Sequence, residues 1–207
     1  MENENLKQEE KVMSGLESLE VITNMIQKTK EASGVHSGDS FIVWGWTTVA
    51  IAIATSVACY ITTDARWNLL WWLVPVIGFP LSYWINRRHK STITTYTEDT
   101  ISKLWCVTGT ALCLLAILFW LLKMPGAYIM PLVLILTSIG TSTTGLIIRE
   151  KLVTWLPLVG FCIAIWMLSL FFAGNYSFWS LSGFGLAFLI MMVIPGHYLN
   201  NKYKVKK

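Results

Sequence analysis

From Phe41 onward the chain alternates between long apolar runs and short polar clusters, with no period-2 alternation of the kind strands show. Six runs stand out, at about 41–62, 67–85, 104–122, 128–148, 152–173 and 177–196, and none contains Asp, Glu, Lys, Arg or His. Each has roughly the ~20 residues that a helix needs to cross ~30 Å of hydrocarbon. Backbone groups in lipid must bond within their own segment or around a closed barrel, so runs without alternation predict helices. The expected fold is all-α: a polytopic membrane protein with six transmembrane helices in three hairpins, preceded by an N-terminal amphipathic cytoplasmic helix. The expected organisation is a helix and linker over 1–38, the membrane domain over 39–198 and a basic tail over 199–207.

The N-terminal helix is predicted from Val12, Leu16, Leu19, Ile22 and Ile26, which recur at helical spacing and share one face. Glu10, Glu17, Asn24 and Lys28 lie opposite. The pattern predicts a helix over about 8–32 that stops near Gly34, with Asp39 or Ser40 opening the first span. Residues 1–31 carry seven acids and four lysines, a net of −3. A helix that lies on anionic lipid is rich in Lys and Arg, and this one is not. Its stripe is expected to dock on the ends of the bundle or on a partner, either a second copy or another membrane or cytoplasmic protein, through residues 8–32.

Charge placement predicts the threading. Lys7, Lys11, Lys28, Lys30, Arg87, Arg88, Lys90, Lys103, Arg149, Lys151, Lys202, Lys204, Lys206 and Lys207 fall on one side of the predicted spans, and only Arg66 and Lys123 on the other. The positive-inside rule puts the fourteen in the cytoplasm, with both termini. The net charge of +4 comes from these anchors and implies no nucleic-acid surface. The opposite connections, near 63–66, 123–127 and 174–176, are too short to form a receptor domain. Most of the eleven tryptophans lie near span ends, as an interfacial aromatic belt requires.

Composition narrows the class further. Hydrophobic residues make up 54% of the chain and charged residues 14%, against about 25% charged in soluble domains. The first apolar run begins only at Phe41 without a small-residue cleavage site, so it is expected to be a retained span rather than a signal peptide. Cys59, Cys106, Cys113 and Cys162 all fall in spans at spacings that match no zinc or redox motif. A Trp opens each expected hairpin, at Trp44, Trp105 and Trp155. Unequal spacing makes a true triple repeat less economical than the rhythm any such hairpins share.

One stretch departs from the apolar rule. In "TSIGTSTTG", Thr137 to Gly145, eight of nine residues are Thr, Ser or Gly. On a helix Thr137, Gly140, Thr141, Thr144 and Gly145 gather on one broad face, with Ile139 and Leu146 opposite. Small residues let membrane helices approach closely, and each hydroxyl has a carbonyl one turn back to bond. That face is expected to point into the bundle, as a tight helix crossing or as the lining of a polar pocket, with Ile139 and Leu146 toward lipid.

Catalytic chemistry is not legible. Ionisable residues inside a membrane mark proton relays and ion coupling, and the six runs hold none. No Ser/His pair, paired Asp or His–Glu set stands at depth, so no enzyme activity, cofactor or metal site is expected. Arg87, Arg88, Arg149 and His197 form a candidate headgroup-binding rim at the cytoplasmic ends, while Glu150 beside Arg149 adds only a weak hint. Two function classes remain: a non-enzymatic sensor, regulatory or assembly partner, and a small transporter or channel for a neutral or apolar solute or lipid. Pro75, Pro80, Pro131 and Pro157, which free backbone carbonyls, favour the second.

Five segments together, "ESLEVITNMI" (17–26), "FIVWGW" (41–46), "PVIGFPLSYW" (75–84), "GTSTTGLII" (140–148) and "IPGHYLN" (194–200), resemble an uncharacterised family of small six-span membrane proteins of Bacteroidetes. The resemblance spans nearly the whole chain. It implies a bacterial inner membrane and assigns no activity.

Overall fold

The computed structural model describes residues 2–88, 96–123, 128–174 and 179–204, with side chains in the first helix described over 17–27 and from Gly38 onward. The described residues are helical almost throughout: α1 Glu2–Thr62, a 3-10 segment Ala65–Trp72 leading into α2 Leu73–Arg88, α3 Tyr96–Leu121, α4 Ile129–Ile148, α5 Lys151–Trp155, α6 Leu158–Phe172, α7 Trp179–Phe188, a π turn Leu189–Val193, and α8 Ile194–Lys204. Among the described residues six segments are long and apolar enough to cross a membrane: Gly38–Thr62, Arg66–Ile85, Tyr96–Leu121, Ile129–Ile148, Lys151–Phe172 and Ser180–Tyr203. They coincide with the six apolar runs, because hydropathy alone sets where a span lies.

Of the four prolines expected to free carbonyls, Pro157 stands at a break between helices, while Pro80 lies inside a continuous α2. Pro157 separates α5 from α6, since it has no N–H to give and its ring crowds the carbonyl one turn back. In the last span the π turn at Leu189–Val193 stands just ahead of Pro195; a widened turn absorbs the missing bond. Pro131 sits in the first turn of α4, where a missing N–H costs nothing.

The first span is continuous with the N-terminal helix. Gly34 does not stop α1, which runs from Glu2 to Thr62. A helical glycine costs about 1 kcal/mol, too little to break a helix that span 1 already nucleates. The stripe is not covered by the chain's own bundle: Leu19, Ile22 and Ile26 are 61%, 52% and 65% exposed. The side chains of Val12 and Leu16 lie outside the described residues.

Spans 1, 4 and 6 form the centre. Half or more of each hydrophobic window is buried (50%, 50% and 61%), against 6% for span 2 and 11% for span 3. α1 packs on α2, α7 and α8, while α4 packs on α3, α5 and α6. Spans 2 and 3 thus flank the centre from outside. Leu134, Met167, Leu181, Met191 and Leu199 are the fully buried large side chains of the core. Exposed residues such as Val76, Phe79, Val107, Leu114 and Trp120 form an apolar exterior suited to hydrocarbon, where burial inside the protein brings no hydrophobic gain.

The hydroxyl face and the polar clamp at the terminal end

The hydroxyl-rich stretch of α4 turns inward. Thr137 is 5% exposed and Ser138, Thr141 and Thr144 are fully buried, with Gly140 and Gly145 also buried, whereas Ile139 and Leu146 are 47% and 65% exposed. Each threonine hydroxyl donates to a carbonyl one turn back: Thr137 to Val133 at 2.7 Å, Thr141 to Thr137 at 2.8 Å, Thr144 to Gly140 at 2.8 Å. Those bonds leave the hydroxyl oxygens able to accept, and Thr144 does so from Trp105 Nε1 of α3 at 3.2 Å. On the other flank Gly160 of α6 seats on Ser138, whose hydroxyl meets Met191 Sδ at 3.5 Å. The face is therefore packed protein on both sides.

The two glycines of this face differ in kind. A Cβ built on Gly140 would meet Trp105 at 3.5 Å, an ordinary contact, whereas one on Gly145 would meet Thr154 N at 2.5 Å and Val153 C at 2.6 Å. The close crossing of α4 is thus with α5, at Gly145.

That crossing is set by the turn beside it. Arg149 takes φ 61°, ψ 41°, its N–H bonding back to Leu146 O at 3.2 Å, while Glu150 N–H reaches Gly145 O at 3.0 Å. This is the paired bonding of a Schellman helix end, normally closed by glycine; here an arginine occupies the left-handed position. Glu150 then stands at the cap position of α5 in an extended conformation, yet its side chain caps nothing there.

Its carboxylate goes elsewhere. Glu150 is 4% exposed and faces α8. Lys202 Nζ lies 2.8 Å from Oε1 and 2.7 Å from Oε2, Tyr203 OH donates to Oε1, and Tyr198 OH reaches Oε2 at 3.5 Å. A buried carboxylate is costly unless paired and hydrogen-bonded, and this one is both. Next to the clamp, Asn200 Nδ2 donates to Asp39 Oδ1 of α1 at 2.6 Å, and Trp46 Nε1 donates to His197 Nε2 at 3.3 Å. α8 therefore turns one face to α1 and another to the α4–α5 turn, at the end of the bundle that carries both termini.

Of the expected rim, Arg149 is exposed beside the clamp. His197 is exposed and accepts from Trp46 on α1. Arg87 lies over the ring of Tyr83 in its own helix, 5.4 Å from the centroid, and the Arg88 side chain lies outside the described residues. The clamp itself was not foreseeable: Glu150 and Lys202 are 52 residues apart, and the only local signal was a carboxylate next to an arginine. Comparison with family models, with curated proteins and with solved structures finds no match for this chain.

Proposed function

We propose that this chain is a non-enzymatic component of a bacterial inner membrane, a sensor, regulatory or assembly partner, threaded as three hairpins with both termini in the cytoplasm. The observation that carries this reading is on α1. Leu19, Val21, Ile22, Met25 and Ile26 are each more than half exposed, on a helix without a break into span 1. Apolar side chains grouped on an amphipathic helix are what a partner's groove recognises. The same helix is held at its membrane entry by Asn200, so the fold ties the docking stripe to α8.

The transporter reading draws less support. The hydroxyls that suggested a polar lining are bonded to their own helix and packed against Trp105 and Gly160.

A photo-crosslinking residue at Ile22, in cells expressing the full chain, tests the proposal. A discrete protein adduct is expected, lost when Leu19 and Ile26 are both changed to Asp. Adducts to lipid alone, or none, would sink it.

A further inference from the structure

The contacts around Lys202 amount to more than an ion pair. Its ammonium meets both oxygens of Glu150 at 2.7 and 2.8 Å, donates to Tyr198 Oη at 3.3 Å, and lies 5.5 Å and 5.7 Å from the ring centroids of Tyr198 and Tyr203. A carboxylate, a hydroxyl and two aromatic rings converge on one ammonium. Aromatic rings attract cations within about 6 Å of the centroid, and charged acceptors make the strongest bonds to an ammonium. Host and guest are unequal. The Glu150 side chain is 5% exposed, whereas that of Lys202 is 42% exposed. The carboxylate is fixed in place by a helix turn, and the ammonium arrives on a flexible stem with ~2 kcal/mol of rotamer entropy.

The position of the carboxylate says which other ammonium it takes. Glu150 lies in the turn between two helices long and apolar enough to cross a membrane, at the end of the bundle where a headgroup would reach it. Its chain neighbours Arg149 and Lys151 are both exposed, two cations beside a cation receptor. A ligand that carries an ammonium and a phosphate on one short stem satisfies both. We infer that Glu150, Tyr198 and Tyr203 form a receptor for the primary ammonium of a phosphoethanolamine group, with Arg149 and Lys151 meeting its phosphate, and that Lys202 is an internal guest that exchanges with it. Exchange breaks no covalent bond. Lys202 leaves toward water, where its half-exposed side chain already points. A trimethylammonium group fits the rings but has no N–H for Glu150 to accept, so it is discriminated against. A glycerol headgroup has no cation and meets the carboxylate's charge unopposed.

The test uses the full chain in detergent, exposed to mixed micelles containing phosphatidylglycerol alone or with phosphatidylethanolamine or phosphatidylcholine, the retained lipids being counted by native mass spectrometry. Wild type is expected to retain the ethanolamine lipid over the choline lipid. Lys202→Met keeps the stem and removes the internal guest. If Lys202 fills the receptor nine-tenths of the time, its removal raises the apparent affinity for the ethanolamine lipid about tenfold, and retention with it at sub-saturating lipid. Adding Glu150→Gln to that variant removes the preference. Unchanged ethanolamine-lipid retention in Lys202→Met, or a preference that survives Glu150→Gln, overturns the inference. Should Lys202→Met fail to purify, wild type and Glu150→Gln decide alone, since loss of the preference supports the receptor and its persistence refutes it. Phosphoethanolamine in solution separates the sources. A rise in the melting temperature of Lys202→Met with the soluble compound assigns a soluble ligand, and a rise with the lipid only assigns the headgroup. No rise with either refutes the receptor.

Discussion

Asn200 Nδ2 stands 2.6 Å from Asp39 Oδ1, joining the start of the first span to the end of the last across 161 residues. The bond sits on a seam where two backbones nearly touch. A Cβ on Gly38 would meet Asn200 Oδ1 at 2.5 Å, and one on Gly196 would meet Gly38 O at 3.0 Å and Ile42 N at 3.1 Å. Close approach of this kind is how membrane helices gain packing attraction without hydrophobic exclusion.

Gly196→Ala is therefore expected to force α8 off α1, because behind the side-chain atom it meets first, Ile42 Cγ1 at 2.9 Å, stand two backbone atoms, Gly38 O and Ile42 N, that cannot step aside. Overpacking typically costs 1–3 kcal/mol. Thermal unfolding in detergent should show a lower melting temperature for this variant. Gly109→Ala, whose Cβ meets nothing within 4 Å, should match or exceed wild type. Equal melting temperatures for the two would mean that the seam does not hold.

On α4 the two glycines should separate in the same assay. Gly145→Ala collides with the backbone of Val153 and Thr154, and loss of folded protein is expected. Gly140→Ala has room beside Trp105 and gains up to about 1 kcal/mol of helix propensity. A destabilised Gly140→Ala beside a tolerated Gly145→Ala would reverse the assignment of the crossing.

Thr141→Val and Thr144→Val keep volume but are not equivalent. Thr141 bonds its own helix and leaves no partner on another helix unpaired, so its loss is expected to cost little. Thr144 also accepts from Trp105 Nε1, and its loss leaves a part-buried donor unpaired, adding about 1–3 kcal/mol. Chemical unfolding monitored by tryptophan fluorescence reads both. The larger effect, and the larger change in the native spectrum, should belong to Thr144→Val.

Arg149→Gly tests the helix end. An L-residue in the left-handed region costs roughly 1–2 kcal/mol that glycine avoids. The substitution is expected to raise the melting temperature. A fall would show that the arginine side chain contributes more than its backbone conformation costs.

Threading is tested by thiol labelling in a background without native cysteines. Single cysteines at Asp64 and Gly174 are expected to react with an impermeant reagent applied to intact cells, and one at Lys206 only after permeabilisation. Labelling at Lys206 in intact cells would reverse the orientation.

The six spans were legible in the residues because hydropathy acts locally: a run without charge and of sufficient length has one low-energy place in a bilayer, whatever its neighbours do. The inward turn of Thr137, Thr141 and Thr144 was legible for a related reason, since helical spacing alone puts them on one face and Ile139 and Leu146 on the other. Gly34 misled, because a glycine marks a helix end only when the helix on its far side is not independently stable, and span 1 is. Spacing tells which residues share a face, but which of them touches a neighbouring backbone depends on where the crossing falls. The clamp of Glu150, Tyr198, Lys202 and Tyr203 belongs wholly to the tertiary structure. Tyr198, Lys202 and Tyr203 lie 48 to 53 residues from Glu150, and only the return of α8 over the α4–α5 turn brings them within bonding distance of it. By itself the sequence determined the membrane class, the spans and the inward face of α4, all consequences of local polarity and helical period. Tertiary packing alone decided which helix ends meet, and therefore that a carboxylate next to an arginine is buried, paired and shared with two tyrosines.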